Sequence, residues 1–383
     1  MDKSKYALSN ALLSLMREKP YHRISVQDIV RRAYVSRTTF YNHFPDKDAI
    51  IRCLLEDVFR PLRLQGPVTP GTDFRLYLCR YLEILLQSRE LFLLMRQSGI
   101  ISLASDFMAE QIRADARQIR NPSSFFGSDA GVNLFAEYES RLTFFSAFWF
   151  LNHASVQGPE ALADIIYSTR KIGYGERASG KTYQPLPQRQ TLLGKGDARA
   201  LQTKNALYDA LNTLLAQRPI TEITVSDLTQ AAGVSRCSFY RHYNSMEQLI
   251  EDMLHWVYID VIHSLPCAGH LIGYAAILKI SLRGYEKYRA IFSAVAGTDY
   301  EMTALRAYRN VVDVLLRQLP YIQDYVPSGG LAREYYHWFM ALEHIVPIMI
   351  YFNQETNMSI DAFSELIHTC RYLPYRLTDP QAE

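Results

Sequence analysis

One stretch of this chain occurs twice. Residues 24–44, ISVQDIVRRAYVSRTTFYNHF, return 199 residues later as ITVSDLTQAAGVSRCSFYRHY (223–243). The copies align without a gap from Lys5/Lys204 to Ile51/Ile250, and 18 of the 47 positions are identical. Chance does not produce a match of that length. The chain must therefore fold as two copies of one small module, each followed by roughly 120 residues of other material.

Each copy has a readable local structure. Apolar residues at Leu8, Leu12, Leu15 and Met16 form one stripe of an amphipathic helix, and Pro20 lies past its end. Ser25 is a natural N-cap, with Asp28 placed to favour the N-terminus of a short second helix that stops near Tyr34. Ser36 caps a third helix, Arg37 to Phe44. Pro45-Asp46 breaks it, and a fourth runs from Lys47 towards Phe59. The second copy follows the same plan, with Thr224 and Ser235 as caps. Two short helices joined by a brief turn form a helix-turn-helix, whose second helix can enter a DNA major groove. On that helix Phe40 and Phe44 lie one turn apart and face the other helices. Thr38, Thr39 and Asn42 fall on the opposite side, free for base edges, and Tyr41 and His43 flank them. Hydroxyls, an amide and a phenol suit base and phosphate contacts.

The bulk properties exclude several classes. At 383 residues the chain holds two or three domains. No window approaches the roughly 18 apolar residues of a membrane helix, and MDKSKYALSN has no secretion-signal core. Five cysteines sit far apart without a C-x-x-C pair, as expected of reduced thiols in a cytoplasmic protein. Net charge is only +2, but its distribution is uneven. Residues 1–60 carry eleven Lys/Arg against seven Asp/Glu, and residues 195–255 carry six against seven.

GERASGKT (175–182) satisfies the pattern of a phosphate-binding loop. Its context fails, because that loop needs a buried strand before it and a helix after it. Here ALADIIYSTRKIGY precedes it with helical spacing, and the prolines of YQPLPQRQ follow. The stretch reads as linker. No G-x-S-x-G, no H-E-x-x-H and no metal-spaced His/Cys cluster occurs, so neither an enzyme nor a cofactor is expected.

Between the modules the pattern is helical: FRLYLCRYLEILLQSRELFLLM, SDFMAEQIRADARQIR, then FAEYESRLTFFSAFWFLNHASVQ, with NPSSFFGSDAG (121–131) as a loop. The second half closes on LAREYYHWFMALEHIVPIMIYF and SIDAFSELIHTCRYL, which match the first half's last helices in position and aromatic weight. The expected fold is all-α, in two tandem units. The boundaries are 1–60 (first helix-turn-helix), 61–172 (first helical bundle), 173–197 (linker), 198–260 (second helix-turn-helix) and 261–383 (second bundle).

At VSRTTFYNHFPDKDAI (35–50) and VSRCSFYRHYNSMEQL (234–249) the chain resembles the TetR family of bacterial transcription regulators. The resemblance implies a DNA-binding regulator, expected to be a repressor released by a small-molecule effector. Base or groove contacts would come from Arg37, Thr38, Thr39, Tyr41 and Asn42, with Gln27 from the preceding helix, while Ser25, His43 and Lys47 hold phosphates. The matching positions are Arg236, Cys237, Ser238, Tyr240, Arg241 and Ser226, with Thr224 and His242 on phosphates. The bundles would serve as effector and dimerisation domains, and Phe92, Met95, Phe107, Met108 and Trp149 would line an apolar effector cavity. A stripe such as Phe144, Phe148, Leu151 reads as core or interface rather than as a ligand box.

Family members of about half this length pair as twofold dimers. Here the expected assembly is an intramolecular pseudo-dimer, its reading helices about 34–36 Å apart on double-stranded DNA; a higher homo-oligomer of the fused chain is the alternative. Because Thr38-Thr39-Asn42 and Cys237-Ser238-Arg241 differ, the two half-sites should differ. Two residues depart from the family pattern. Tyr34 stands in the turn where Gly is usual, as Gly233 does, and a tyrosine at positive φ is strained, so the first turn is expected to take a different backbone. Met246 stands where a phosphate-binding Lys is usual, as Lys47 does, which weakens the second module as an autonomous DNA binder; the other reading is a regulator acting by protein contact. Arg31 and Arg32 fit a solvated face as well as a phosphate grip. Cys237 reads as a small groove-facing residue, with a redox sensor as its alternative.

Overall fold

The computed structural model describes residues 3–64, 73–118, 128–151, 153, 158–171, 198–264, 274–318, 326–353 and 358–378. Among them no strand occurs. GERASGKT and the stretch read as a linker lie outside the described residues, as does Cys267. By internal contacts the chain divides into two compact units, Met1–Ser168 with Cys370–Glu383, and Thr169–Thr369.

The first unit begins with a head made of α1 (Lys3–Glu18), a 3-10 turn (Tyr21–Arg23), α2 (Val26–Ala33), α3 (Arg37–His43) and the start of α4 (Lys47–Arg63). A core of Leu8, Leu12, Ile29, Phe40 and Ile50, drawn from α1 to α4, is closed to solvent. The long α4 is shared. Its N-terminal half supplies Ile50 and Ile51 to the head, while Phe59 reaches the bundle, where its ring stacks on Tyr81 at 5.7 Å. The bundle comprises α5 (Phe74–Gln87), α6 (Arg89–Gln97), α7 (Ser102–Gln118), α8 (Asp129–Leu151) and α9 (Pro159–Lys171). The periodic run 74–95 is two helices rather than one. Ser88, at φ −102 and ψ 18, ends α5 and starts α6, a break the apolar spacing does not announce. The last three residues of the expected loop 121–131 form the first turn of α8, started by Ser128, whose hydroxyl accepts from Gly131 N at 3.1 Å.

The second unit repeats the order: α10 (Ala198–Leu215), a 3-10 turn (Ile220–Glu222), α11 (Val225–Ala231), α12 (Arg236–His242), α13 (Met246–Ser264), α14 (Tyr274–Tyr285), α15 (Arg289–Val295), α16 (Tyr300–Gln318), α17 (Gly330–Asn353) and α18 (Ile360–Thr378). The boundaries between the units fall within α9 and within α18. Each head leans on its own bundle in the same way, α1 against α6 and α10 against α15. An ion pair Arg52–Glu110 (2.7 Å) adds to this in the first unit, and Arg306–Glu247 in the second.

The ring clusters of the two bundles occupy corresponding places but differ in chemistry. In the first, Phe59 (α4) lies 6.1 Å from both Phe92 (α6) and Phe107 (α7), and Phe92 lies 6.0 Å from Phe144 (α8). In the second, the places are taken by Tyr258, Phe292, Tyr308 and His344, with Tyr285 added. Buried hydroxyls need partners. Tyr258 donates to Ala304 O at 3.3 Å, and Tyr285 meets His344 Nε2 at 3.3 Å. Burial lowers the His344 pKa to about 3, so this imidazole is neutral near pH 7. Pro347 inside α17 leaves the Glu343 carbonyl without its usual helical donor. The Tyr274 hydroxyl replaces that donor at 2.6 Å.

Candidate nucleic-acid interface

The helix before each reading helix is set by a reciprocal cap. Ser25 accepts from Asp28 N at 3.2 Å while Ser25 N donates to Asp28 Oδ2 at 3.0 Å. Thr224 and Asp227 make the same box at 3.2 and 2.9 Å. The Asp28 carboxyl is held well below its ordinary pKa by the Lys19 ammonium and by the Ser25 hydrogen bonds. Ser36 then caps α3 through Thr39 N (3.0 Å), and Ser235 caps α12 through Ser238 N (3.0 Å). Between helices, Val35 N donates to Val30 O and Val234 N to Thr229 O, so the two turns share one hydrogen-bond path.

The turns also share one backbone. Tyr34 sits at φ 56, ψ 39, and Gly233 at φ 64. The expectation of a different first turn is thus wrong. The turn's hydrogen bond to Val30 O requires the left-handed residue, and Tyr34 adopts it in spite of its side chain. Among the described residues it is the one non-glycine at positive φ, a placement costing about 1–2 kcal/mol.

Phe40 and Phe239 are fully buried, as the spacing predicts. Each carries a tyrosine edge-on at its outer side: Tyr41 at 5.2 Å and Tyr240 at 5.3 Å. Those tyrosines are half exposed, at 48% and 55%. Ser25, Gln27, Arg37, Thr38 and Asn42 are exposed on the first head, and Thr224, Arg236, Cys237 and Arg241 on the second. His43, Lys47, Ser226 and His242 are half-buried. Thr39 and Ser238 are also only half exposed, and the Thr39 hydroxyl lies 2.8 Å from Ser36 Oγ. Thr39, expected to be free for a base edge, has its hydroxyl on the cap here, because the third helical position falls back onto it. The Ser25 hydroxyl likewise donates to Asp28 at 2.8 Å, and that of Thr224 to Asp227 at 2.6 Å.

The arginines opening the two helices are held differently. Arg37 lies over the Tyr41 ring (5.6 Å) and reaches its hydroxyl at 3.4 Å. Arg236 donates to Ser226 Oγ at 2.5 Å on the preceding helix, where the first head has Gln27. Arg32 is tied to Glu18 (2.7 Å) and Ser14 (2.6 Å), binding α2 to α1, whereas Arg31 is 77% exposed and meets Asp28 only at 3.4 Å.

Lys47 has a second occupation that the motif does not reveal. Its ammonium donates to the carbonyls of Tyr21 (2.7 Å) and Ile24 (3.0 Å) and lies 4.2 Å from the Tyr21 ring, leaving one N–H. Burial pulls its pKa below the usual lysine value. The second head has Met246 there and braces itself elsewhere: Asp252 accepts from Lys204 (2.6 Å), Tyr208 (2.7 Å) and Tyr243 (2.7 Å). Burial raises the Asp252 pKa, but these donors outweigh it and keep the carboxyl below its ordinary range. Lys47→Met should lower the first head's stability by about 1–3 kcal/mol through loss of charge-assisted hydrogen bonds. Urea melts check this; an unchanged midpoint would show the two carbonyls need no cation.

The expected effector residues Phe92, Met95, Phe107, Met108 and Trp149 are all buried. They do not form one ring set: Phe92 and Phe107 both meet Phe59, while Trp149 stacks on His153 at 4.0 Å. Among the described residues no group of three His, Cys, Asp or Glu is placed to hold a metal. No helix among them is long and apolar enough to cross a membrane.

Two capped helix-turn-helix heads, each with a buried phenylalanine behind a polar reading face, define a helix-turn-helix DNA-binding protein. Comparison with known proteins places it more narrowly. The family described as "Bacterial regulatory proteins, tetR family" matches residues 8–53 and again 207–253, so the chain carries two helix-turn-helix domains of the TetR type. The uncharacterized HTH-type transcriptional regulator YxbF of Bacillus subtilis is 23% identical over 275 residues, covering 68% of this chain and 69% of that protein. The dhaKLM operon transcriptional activator DhaS of Lactococcus lactis is 32% identical over 82 residues, 20% of this chain and 41% of its own length. The transcriptional repressor KstR2 of Rhodococcus jostii is 30% identical over 95 residues, 24% of this chain and 47% of its own. The chain spans less than half the length of the last two.

Proposed function

We propose that this chain is a sequence-specific transcription regulator that reads two unlike half-sites with two heads carried on one polypeptide. The observation that carries this reading is the pair of exposed faces: Thr38 and Asn42 on one, Cys237 and Arg241 on the other, on helices set by the same caps. An amide suits adenine and a guanidinium suits guanine or phosphate, so the operator is an imperfect palindrome or none. Pairing within one chain is part of this proposal, through α8 and α17, the helices that occupy the places read as dimer-forming. The heads would then lie about 34–36 Å apart on the duplex.

The sign proposed is repression, as the name of KstR2 states for that protein; activation, as for DhaS, is the alternative, and a reporter driven by the bound promoter separates them. A small apolar effector bound near Phe92, Met95, Phe107, Met108 and Trp149 would release the DNA. The protein acts in the cytoplasm and without an enzymatic step.

The test is selection of bound duplexes from a random pool, followed by sedimentation of the complex. One 44.1 kDa chain per duplex with two dissimilar half-sites is the expected result. Two chains per duplex, each using one head, would overturn the pairing. A second reading, in which the second head works by protein contact, is favoured by Met246 and by the near-neutral charge of residues 195–255.

A further inference from the structure

Tyr34 combines two costs that do not ordinarily occur together. Its backbone is left-handed, and the residue is 95% exposed, the most exposed of the large hydrophobic residues among those described. Its hydroxyl makes no hydrogen bond among the described residues. The second head performs the same turn with Gly233, at φ 64 and with open space where a Cβ would stand. Glycine therefore satisfies the fold, and nothing in the first head's packing rewards a tyrosine. An outlier of this kind points outward, to something the protein touches.

Its position narrows what that is. Tyr34 is two residues before Ser36, the cap of the reading helix. It stands between two further exposed side chains at three-residue spacing, Arg31 before it and Arg37 after it. Arg31 is 77% exposed and only loosely paired. The second head has Gln230, Gly233 and Arg236 at these places, one cation instead of two and no phenol. An exposed phenol at the mouth of a reading helix, in a stretch of sequence that also carries Arg31 and Arg37, is suited to an anionic backbone: its hydroxyl donates to a phosphate oxygen and its ring covers the sugar.

We propose that Tyr34 is a DNA-backbone contact peculiar to the first head, gripping the sugar-phosphate strand beside the first half-site with Arg31 and Arg37. This rests on the reading of the heads as DNA binders. It makes the first head the stronger anchor and gives the chain a fixed orientation on its site.

The experiment sets stability against affinity. Tyr34→Gly copies the second head's turn and removes the backbone strain, so its melting temperature should rise. A tyrosine serving only the fold would leave DNA affinity equal or improved. As a backbone contact, its loss should weaken binding by about 3- to 10-fold, the scale of one hydrogen bond. The probe is a duplex recovered by wild-type protein from a random pool, measured by fluorescence anisotropy, with either half-site scrambled in parallel. Tyr34→Phe keeps ring and strain and should lose much of the same factor. Arg31→Ala should weaken binding and reduce the salt slope by about one. Tyr34→Gly that is more stable and binds the intact duplex undiminished would overturn the proposal while leaving DNA binding standing. If wild-type protein recovers no duplex, both readings fall.

Discussion

Phe40→Ala will unfold the first head and leave the second unit folded. The Phe40 ring has no exposure and stands at the junction of α1, α2 and α3, with Tyr41 edge-on at 5.2 Å and Phe44 tilted at 6.3 Å. Removing a buried phenylalanine costs about 3–5 kcal/mol once the cavity is included. A head of three short helices has little stability in reserve, since small domains bury a small share of their surface. The damage should stop within α4, because its C-terminal half is held by the bundle through Phe59, Tyr81 and Phe107. Peptide-resolved hydrogen exchange reads this directly. Protection should vanish across α1 to α3 and persist in α5 to α8 and throughout α10 to α13. Phe239→Ala should give the mirror result. Retained protection in α1 to α3 would show that the ring is dispensable.

The second large effect is on DNA. Tyr41→Ala with Asn42→Ala should weaken binding by about 10- to 100-fold, since a base contact is worth about 1–3 kcal/mol. Tyr240→Ala with Arg241→Ala should lose a comparable factor and also lower the slope of log affinity against log salt by about one, because a guanidinium is removed. Both pairs are exposed or half exposed and sit in front of a buried phenylalanine, so neither change should unfold its head. Binding isotherms at several salt concentrations check both numbers. If the first pair is damaging and the second inert, the second head has left DNA, and regulation by protein contact becomes the better account of that half.

Much of this was legible in the residues because the decisive interactions are short-ranged. Ser25 with Asp28, Thr224 with Asp227, and Ser36 with Thr39 are three residues apart, so a helix start can be recognised from four letters. Phe40 and Phe44 are one turn apart, so their common inward face follows from helical spacing alone. The break at Ser88 escaped, because the apolar pattern passes through it unchanged while the chain changes direction. The candidate interface was less completely legible. Thr39 was expected on the open face, but its hydroxyl returns to the cap. Lys47 was expected only on phosphate, but two of its donors close the turn before α2.

By itself the sequence determined that two helix-turn-helix heads stand in tandem, where their helices start and stop, and which ring each one buries. These depend on neighbours within one or two turns and on a repeat that can be read directly. Only the tertiary structure decided that Tyr34 accepts a left-handed backbone, that Lys47 and Asp252 brace their heads in unrelated ways, and that Phe59, Phe107 and Phe144 of one bundle give way to Tyr258, Tyr308 and His344 in the other. The Tyr34 backbone answers to a turn hydrogen bond that the residue type argues against, and the others depend on atoms brought together from distant parts of the chain. The free energy of such contacts is set by burial and available partners, neither of which is written in local spacing.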